Sequence, residues 1–201
     1  MMKLYSAPPS PFGRKVKITA HLKGLMDQIT VELADTRGPN PALASANPLS
    51  KIPALVLADG TQLYDSHVIC EYLDCLAPSP VLFPPSGLAR YRCLTRAALA
   101  NGIMEAALLI VYEHRYRPVD KHVPDWIARQ QSKVDAGLAA FEAAPPASSP
   151  PDYSSIALAC ALGYLDLRFA GAWRAKHPKL AAWLAAFSAA VPAFEATRAA
   201  S

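Results

Sequence analysis

The chain has 201 residues, enough for one large domain or two small ones around a real core. Its formal charge of +4 is spread out, with no Lys/Arg block interleaved with aromatics, which argues against a nucleic-acid binder. No cationic leader precedes a long apolar run, and the most apolar stretches, 106–112 and 156–165, fall short of the roughly 20 residues that cross a bilayer, so a cytoplasmic protein without membrane contact is expected.

Prolines punctuate the chain at about twice ordinary usage, 19 in all. "KLYS" (3–6) reads as a strand. A helix from Pro11 to Gly24 follows, with Ser10 supplying the N-cap oxygen and Pro11 filling the first position, where no N–H is needed. Arg14 and Lys15 are expected on its exposed side. "ITVELA" (29–34) alternates as a second strand, and 40–48 holds at most a short helix between prolines. Residues 53–59 and 62–64 read as a hairpin across an Asp-Gly turn. In 66–76, Val68, Ile69, Tyr72, Leu73 and Leu76 fall on one helical face. The order βαβαββα requires a mixed sheet with helices on its faces, an α/β domain of the thioredoxin-like arrangement.

After the proline-rich stretch at 77–87 no strand signal remains. Residues 88–117 form one long helical pattern, and 126–143 carry a stripe of Ile127, Val134, Leu138 and Phe141. Segment 153–170 is apolar nearly all round, as a buried central helix would be, and 178–191 repeats at helical spacing. The expected organisation is an α/β domain at 1–78, a linker at 79–87 and an all-α domain at 88–201. The four cysteines (70, 75, 93, 160) form no CxxC pair and lie in helical surroundings, where free Cys behaves as a small hydrophobe. The five histidines (21, 67, 114, 122, 177) form no ligand spacing, so no metal site is expected.

Four stretches, "LYSAPPSPFGRKVKI", "NPLSKIPALVL", "LYDSHVICEYLD" and "HPKLAAWLAAF", together resemble the cytosolic glutathione S-transferase superfamily, in order and at matching spacings. The closest likeness is to bacterial and plant members with a serine at the start of the first helix. The resemblance implies that Ser10 donates a hydrogen bond to the sulfur of bound glutathione. It implies that Pro53 is a cis-proline that leaves Ile52 to pair with the cysteinyl backbone. It further implies that Asp65 and Ser66 hold the γ-glutamyl end, and that Lys51 meets the glycine carboxylate. The reaction implied is attack of the glutathione thiolate on a small hydrophobic electrophile, with glutathione as co-substrate, no metal, and a homodimeric cytoplasmic protein.

Elementary chemistry favours those roles. The thiolate is the reactive form, with a free pKa of about 8.5, and a hydroxyl donor and a helix N-terminus both favour the anion. Lowering the pKa by roughly two units needs about 2.7 kcal/mol of preferential stabilisation, within reach of those two groups. Taken singly, Ser10-Pro11 is more often a plain helix cap, Pro53 a strand opener, Asp65-Ser66 a helix start and Lys51 a solvated loop residue. Tyr5, at the end of the first strand, is the rival hydroxyl. The electrophile would meet the long helix through Met104, Leu108, Tyr112 and Arg115, by spacing alone. An isomerase, dehalogenase or peroxidase on the same thiolate site, or a non-catalytic binding protein of the same fold, are the alternatives.

Two places depart from the family pattern. Before the buried helix, Asp152-Tyr153-Ser154-Ser155 stands where Ser/Thr-x-x-Asp is usual, and Ser155 is expected to be too short to close the capping box, giving a weaker helix start. "VPAF" (191–194) replaces the commoner Arg-Pro-x-Phe, which puts a tail contact in doubt.

Overall fold

The computed structural model describes residues 1–199, and the chain divides into two compact units, Met1–Pro84 with Val191–Ser201, and Pro85–Ala190.

The first unit holds a four-stranded mixed sheet in the order β2-β1-β3-β4. Strand β1 (Met2–Ser6) pairs parallel with β2 (Ile29–Leu33) and antiparallel with β3 (Ala54–Val56), which pairs antiparallel with β4 (Gln62–Leu63). The intervening helices are α1 (Pro11–Leu22), α2 (Pro41–Ala46) and α3 (Ser66–Leu76), so the βαβαββα order holds. The β3 and β4 strands are shorter than their apolar pattern suggested. Their turn closes early, with Leu57 N–H on Thr61 O at 2.8 Å and Asp59 Oδ1 accepting from Thr61 N–H at 2.9 Å.

Helix α1 corrects the expectation for Arg14 and Lys15, which are 7% and 0% exposed. The short helix α8 (Ala193–Ala196) packs on α1, and the Arg14 guanidinium donates to Phe194 O and Thr197 Oγ1 while stacking 3.9 Å from the Phe194 ring. The tail contact that "VPAF" put in doubt is therefore made, with its cation supplied by α1. Helical spacing gave Arg14 a face, and could not show that a segment 180 residues away covers it.

The second unit is helical: α4 (Gly87–Tyr116), α5 (Pro124–Ala143), α6 (Tyr153–Phe169) and α7 (Pro178–Ala190). Helix α4 is long and apolar enough to pass for a membrane span by composition, but it packs along α5 and α6 and buries Ile103, Met104, Ala107 and Ile110, as a core helix does. At Gly137 of α5 an added Cβ would lie 2.6 Å from Ile103 Cγ1, so glycine sets how closely the two helices approach. Helix α6 is buried over most of its length.

The start of α6 corrects the second departure. Asp152 Oδ1 accepts from Ser155 N–H at 2.8 Å, and Ser155 Oγ accepts from Asp152 N–H at 2.9 Å, so both arms of the capping box close. The short serine suffices because its fully buried hydroxyl is held against the cap backbone, where it also donates to Asp152 O at 2.8 Å. Three cysteines are buried, as expected of small hydrophobes; Cys75, on the last turn of α3, is exposed.

Helix α7 is capped from outside. The Glu142 carboxylate of α5 accepts from Lys179 N–H at 3.0 Å and Leu180 N–H at 2.9 Å, two of the orphan donors at a helix start. Burial alone would raise the Glu142 pKa, but the N–H groups of Leu180 and Lys179 outweigh it and hold the carboxyl below its ordinary value. A depressed folded-state pKa means that the stability gained is present above the unfolded value of about 4.3 and is lost as pH falls through the folded value. We therefore expect Glu142→Gln to lower the melting temperature near pH 7, and the gap from wild type to close near pH 2. Circular dichroism melts across pH check this, and a gap independent of pH would refute it.

Candidate active site

The end of β1 runs through a turn, with Ser10 N–H on Ala7 O at 3.0 Å, into α1. Ser10 is the N-cap: its Oγ accepts from Gly13 N–H at 3.1 Å, its backbone is extended, and Pro11 follows at the first helical position. A serine hydroxyl has one donor and two acceptor lone pairs, so accepting from Gly13 leaves the O–H free to donate. Gly13 itself was not legible as a site residue. An added Cβ there would lie 2.1 Å from Ser6 Oγ, so only glycine lets the first turn of α1 sit against the end of β1.

The sheet register collects the other expected residues at the same end. Tyr5 faces Ala54 across β1 and β3, and Leu55 faces Leu63 across β3 and β4. The end of β1, the start of β3 and the end of β4 are therefore neighbours, which brings Ser10, Ile52-Pro53 and Asp65-Ser66 together along one edge of the sheet. The Ile52–Pro53 peptide bond is cis. Pro53 is buried, while Ile52 is half-buried and lies outside the ladder, which begins at Ala54.

The loop before it is pinned by Asn47, a buried residue that sequence reading passed over. Its Nδ2 donates to Lys51 O at 3.0 Å and its Oδ1 accepts from Leu49 N–H at 3.0 Å, while Ser50 takes a left-handed φ of +50°. Lys51 is exposed and forms no ion pair among the described residues.

Asp65 is the N-cap of α3, its Oδ1 accepting from His67 N–H at 2.9 Å. Oδ2 has no protein partner among the described residues. Ser66, at the first position of α3, is buried, and the helix start presents N–H groups and positive dipole suited to a carboxylate. The edge thus combines a hydroxyl donor at one helix N-terminus, a backbone at Ile52 that lies outside the ladder, and an acid beside a second helix N-terminus. Tyr5 is half-buried and packs against the cluster of Ala34, Leu43, Ala46 and Ala54, which Ile52 also joins.

Comparison with known proteins decides the family. Residues 9–76 match the family model described as "Glutathione S-transferase, N-terminal domain", and residues 124–186 match "Glutathione S-transferase, C-terminal domain". An uncharacterised GST-like protein of Escherichia coli K12, YibF, is 34% identical over 187 residues, covering 89% of this chain and 90% of the relative. The chain belongs to the glutathione S-transferase superfamily. A glutathione transferase family member from Pseudomonas fluorescens Pf-5, solved with bound glutathione, superimposes with a TM-score of 0.95 at 42% identity, with all of both chains covered. A maleylacetoacetate isomerase of Pseudomonas aeruginosa is 33% identical over 148 residues, 70% of this chain and 68% of that one.

For a member of this superfamily the electrophile residues expected from spacing separate in the structure. Met104 is fully buried in the helical core, Leu108 and Tyr112 are half-buried, and Arg115 is exposed. A hollow of about 390 Å³ opens in the helical unit, lined by Leu109, Tyr112, Glu113, Tyr116, Arg117 and Trp126. The Glu113 carboxylate in it is engaged, accepting from Arg117 Nε at 2.9 Å and Val123 N–H at 3.0 Å. Among the described residues no group of three or more His, Cys, Asp or Glu could hold a metal ion.

Proposed function

We propose that this protein is a serine-type glutathione transferase, in which the thiolate of glutathione, held along the sheet edge, attacks a small electrophile. The observation that carries the reading is Ser10, whose hydroxyl caps α1 by accepting while its proton stays free to donate, at the positive end of that helix. The sulfur takes that hydrogen bond and its pKa falls, because donor and helix end both stabilise the anion more than the thiol. The cysteinyl backbone pairs with the N–H and C=O of Ile52, oriented by Pro53. The γ-glutamyl ammonium pairs with Asp65, its carboxylate takes the N–H groups at Ser66, and the glycine carboxylate meets Lys51. In this reading the glutathione-binding domain expected at 1–78 takes in the returning tail from Val191, and the helical unit Pro85–Ala190, against the 88–201 expected, receives the electrophile, with a homodimer in the cytoplasm as the working form. The family, and a neighbour solved with bound glutathione, support this reading.

A second reading is favoured by the isomerase relative. In it the same thiolate adds to a conjugated double bond, the adduct rotates, and expulsion of the thiolate restores glutathione, so none is consumed.

The purified protein should be retained on immobilised glutathione, be released by free glutathione, and conjugate chlorodinitrobenzene with loss of chloride. Retention without conjugation would reject the transferase reading in favour of a binding protein or isomerase. No retention would reject the glutathione site itself.

A further inference from the structure

Two imidazoles of the helical unit meet where α4 ends. His114, in the last turn of α4, and His122, just before α5, lie with ring centres 4.7 Å apart and ring planes at 81°. A loop separates them in the chain, so no helical ligand spacing marks them in the sequence.

That loop is pinned at both ends. The buried Glu113 carboxylate accepts from Arg117 Nε at 2.9 Å and from Val123 N–H at 3.0 Å. Between them, Lys121 N–H reaches Pro118 O at 2.9 Å and His122 N–H reaches Val119 O at 3.2 Å. Glu113 precedes His114 and Val123 follows His122, so one carboxylate holds the immediate neighbours of both rings.

His122 is half-buried, and its Nε2 lies 3.2 Å from Arg117 O. A carbonyl only accepts, so Nε2 carries the proton and Nδ1 of the neutral ring keeps its lone pair. One ring nitrogen donating to a backbone carbonyl is the arrangement that orients metal-ligating histidines. His114 is exposed and forms no hydrogen bond or ion pair among the described residues, so its ring turns about the Cβ–Cγ bond with its centre nearly fixed.

The spacing of the rings selects the kind of ion. A metal–nitrogen bond of about 2.0–2.1 Å puts each ring centre about 3.2 Å from the ion, so two imidazoles at a right angle have centres about 4.5 Å apart, and at the tetrahedral angle about 5.2 Å. The observed 4.7 Å is nearer the right angle, which square-planar and octahedral ions offer. Of the cations alongside, Arg117 is paired with Glu113 and Lys121 with Asp120, which lessens their repulsion of an ion. The exposure of His114 leaves the remaining coordination positions to water.

We propose that Nδ1 of His122 and a ring nitrogen of His114 hold one divalent transition-metal ion of the copper(II) or nickel(II) class, clipping the end of α4 to the start of α5. The assignment is independent of the transferase reading. Calorimetric titration of the untagged chain with nickel(II), in the absence of glutathione, is expected to show a single ion bound tightly per chain. An ion shared by two rings is lost with either, so His114→Asn and His122→Asn should each weaken that binding at least about tenfold, and the double variant should be no weaker than either single one. Nickel(II) should raise the melting temperature of the wild type and leave that of the variants unmoved, since only the folded chain brings the rings together. His114→Asn, at an exposed position, decides the question should His122→Asn fold poorly. Binding that survives His114→Asn, or losses that add as those of two separate single-ring sites would, overturns the site and leaves an adventitious ion only. Zinc(II) bound more tightly than nickel(II) overturns the right-angle geometry and with it the class of ion.

Discussion

Ser10→Ala is expected to lower kcat/KM for glutathione conjugation by about two to three orders of magnitude, the size of effect seen when one preorganised donor to a developing or reactive anion is removed. The same change removes the α1 N-cap, because Ser10 Oγ accepts from Gly13 N–H at 3.1 Å, and so costs about 1 kcal/mol of stability. The two losses are separable. Asn is as good an N-cap as Ser but carries no hydroxyl. Ser10→Asn should therefore regain most of the melting temperature lost in Ser10→Ala while its conjugation rate stays low. The pH dependence gives a third reading. The wild-type rate should level off once the lowered thiol pKa is passed, whereas in both variants the plateau should move up toward the free thiol value of about 8.5. Tyr5→Phe should leave rate and profile unchanged if Ser10 is the donor, since the ring keeps its packing against the cluster of Ala34, Leu43, Ala46 and Ala54. If Ser10→Ala conjugates at the wild-type rate and Tyr5→Phe does not, the hydroxyl is Tyr5 and the mechanism is reassigned.

That one serine both caps and donates was an open alternative on sequence grounds, since a Ser-Pro helix start is ordinary. The structure makes the alternatives compatible: the cap uses a lone pair and the proposed donor uses the proton. The local signals read well in this chain because they act over a few residues. Ser10-Pro11, Asp65-Ser66 and Asp152 each cap the helix that follows, and each bond closes within three residues, although side-chain length alone understates the reach of Ser155 back to Asp152. What the sequence left dark was long-range. The Arg14 contact with α8, the packing of Met104 in the core and the pinning of Lys51 O by Asn47 depend on what covers a face or reaches a carbonyl. Periodicity names a face and says nothing of its cover.

Lys23 and Asp74 form another such pair, and breaking it should have the largest effect on stability. The Lys23 ammonium at the end of α1 meets Asp74 Oδ1 of α3 at 2.9 Å, with the two side chains 1% and 10% exposed. Lys23 Nζ also donates to Pro80 O at 2.6 Å, while Asp74 accepts from Leu82 N–H at 3.0 Å and Phe83 N–H at 3.1 Å. One carboxylate thus fixes α1, α3 and the chain leaving α3. In Asp74→Ala the ammonium stays buried with a lone carbonyl, and two backbone donors lose their acceptor. Removing one member of a buried pair costs about 3–5 kcal/mol, against a total of about 5–15 kcal/mol for a typical domain. Urea titration should therefore show a much lower midpoint for Asp74→Ala. Asp74→Asn keeps the acceptor for Leu82 or Phe83 but not the charge, and should fall between. Lys23→Met/Asp74→Ala removes the stranded charge and should recover part of the loss, since an absent buried ion costs less than an unpaired one. If Asp74→Ala costs under about 1 kcal/mol, the carboxylate acts as an exposed surface pair would, and its role in holding these segments together is refuted.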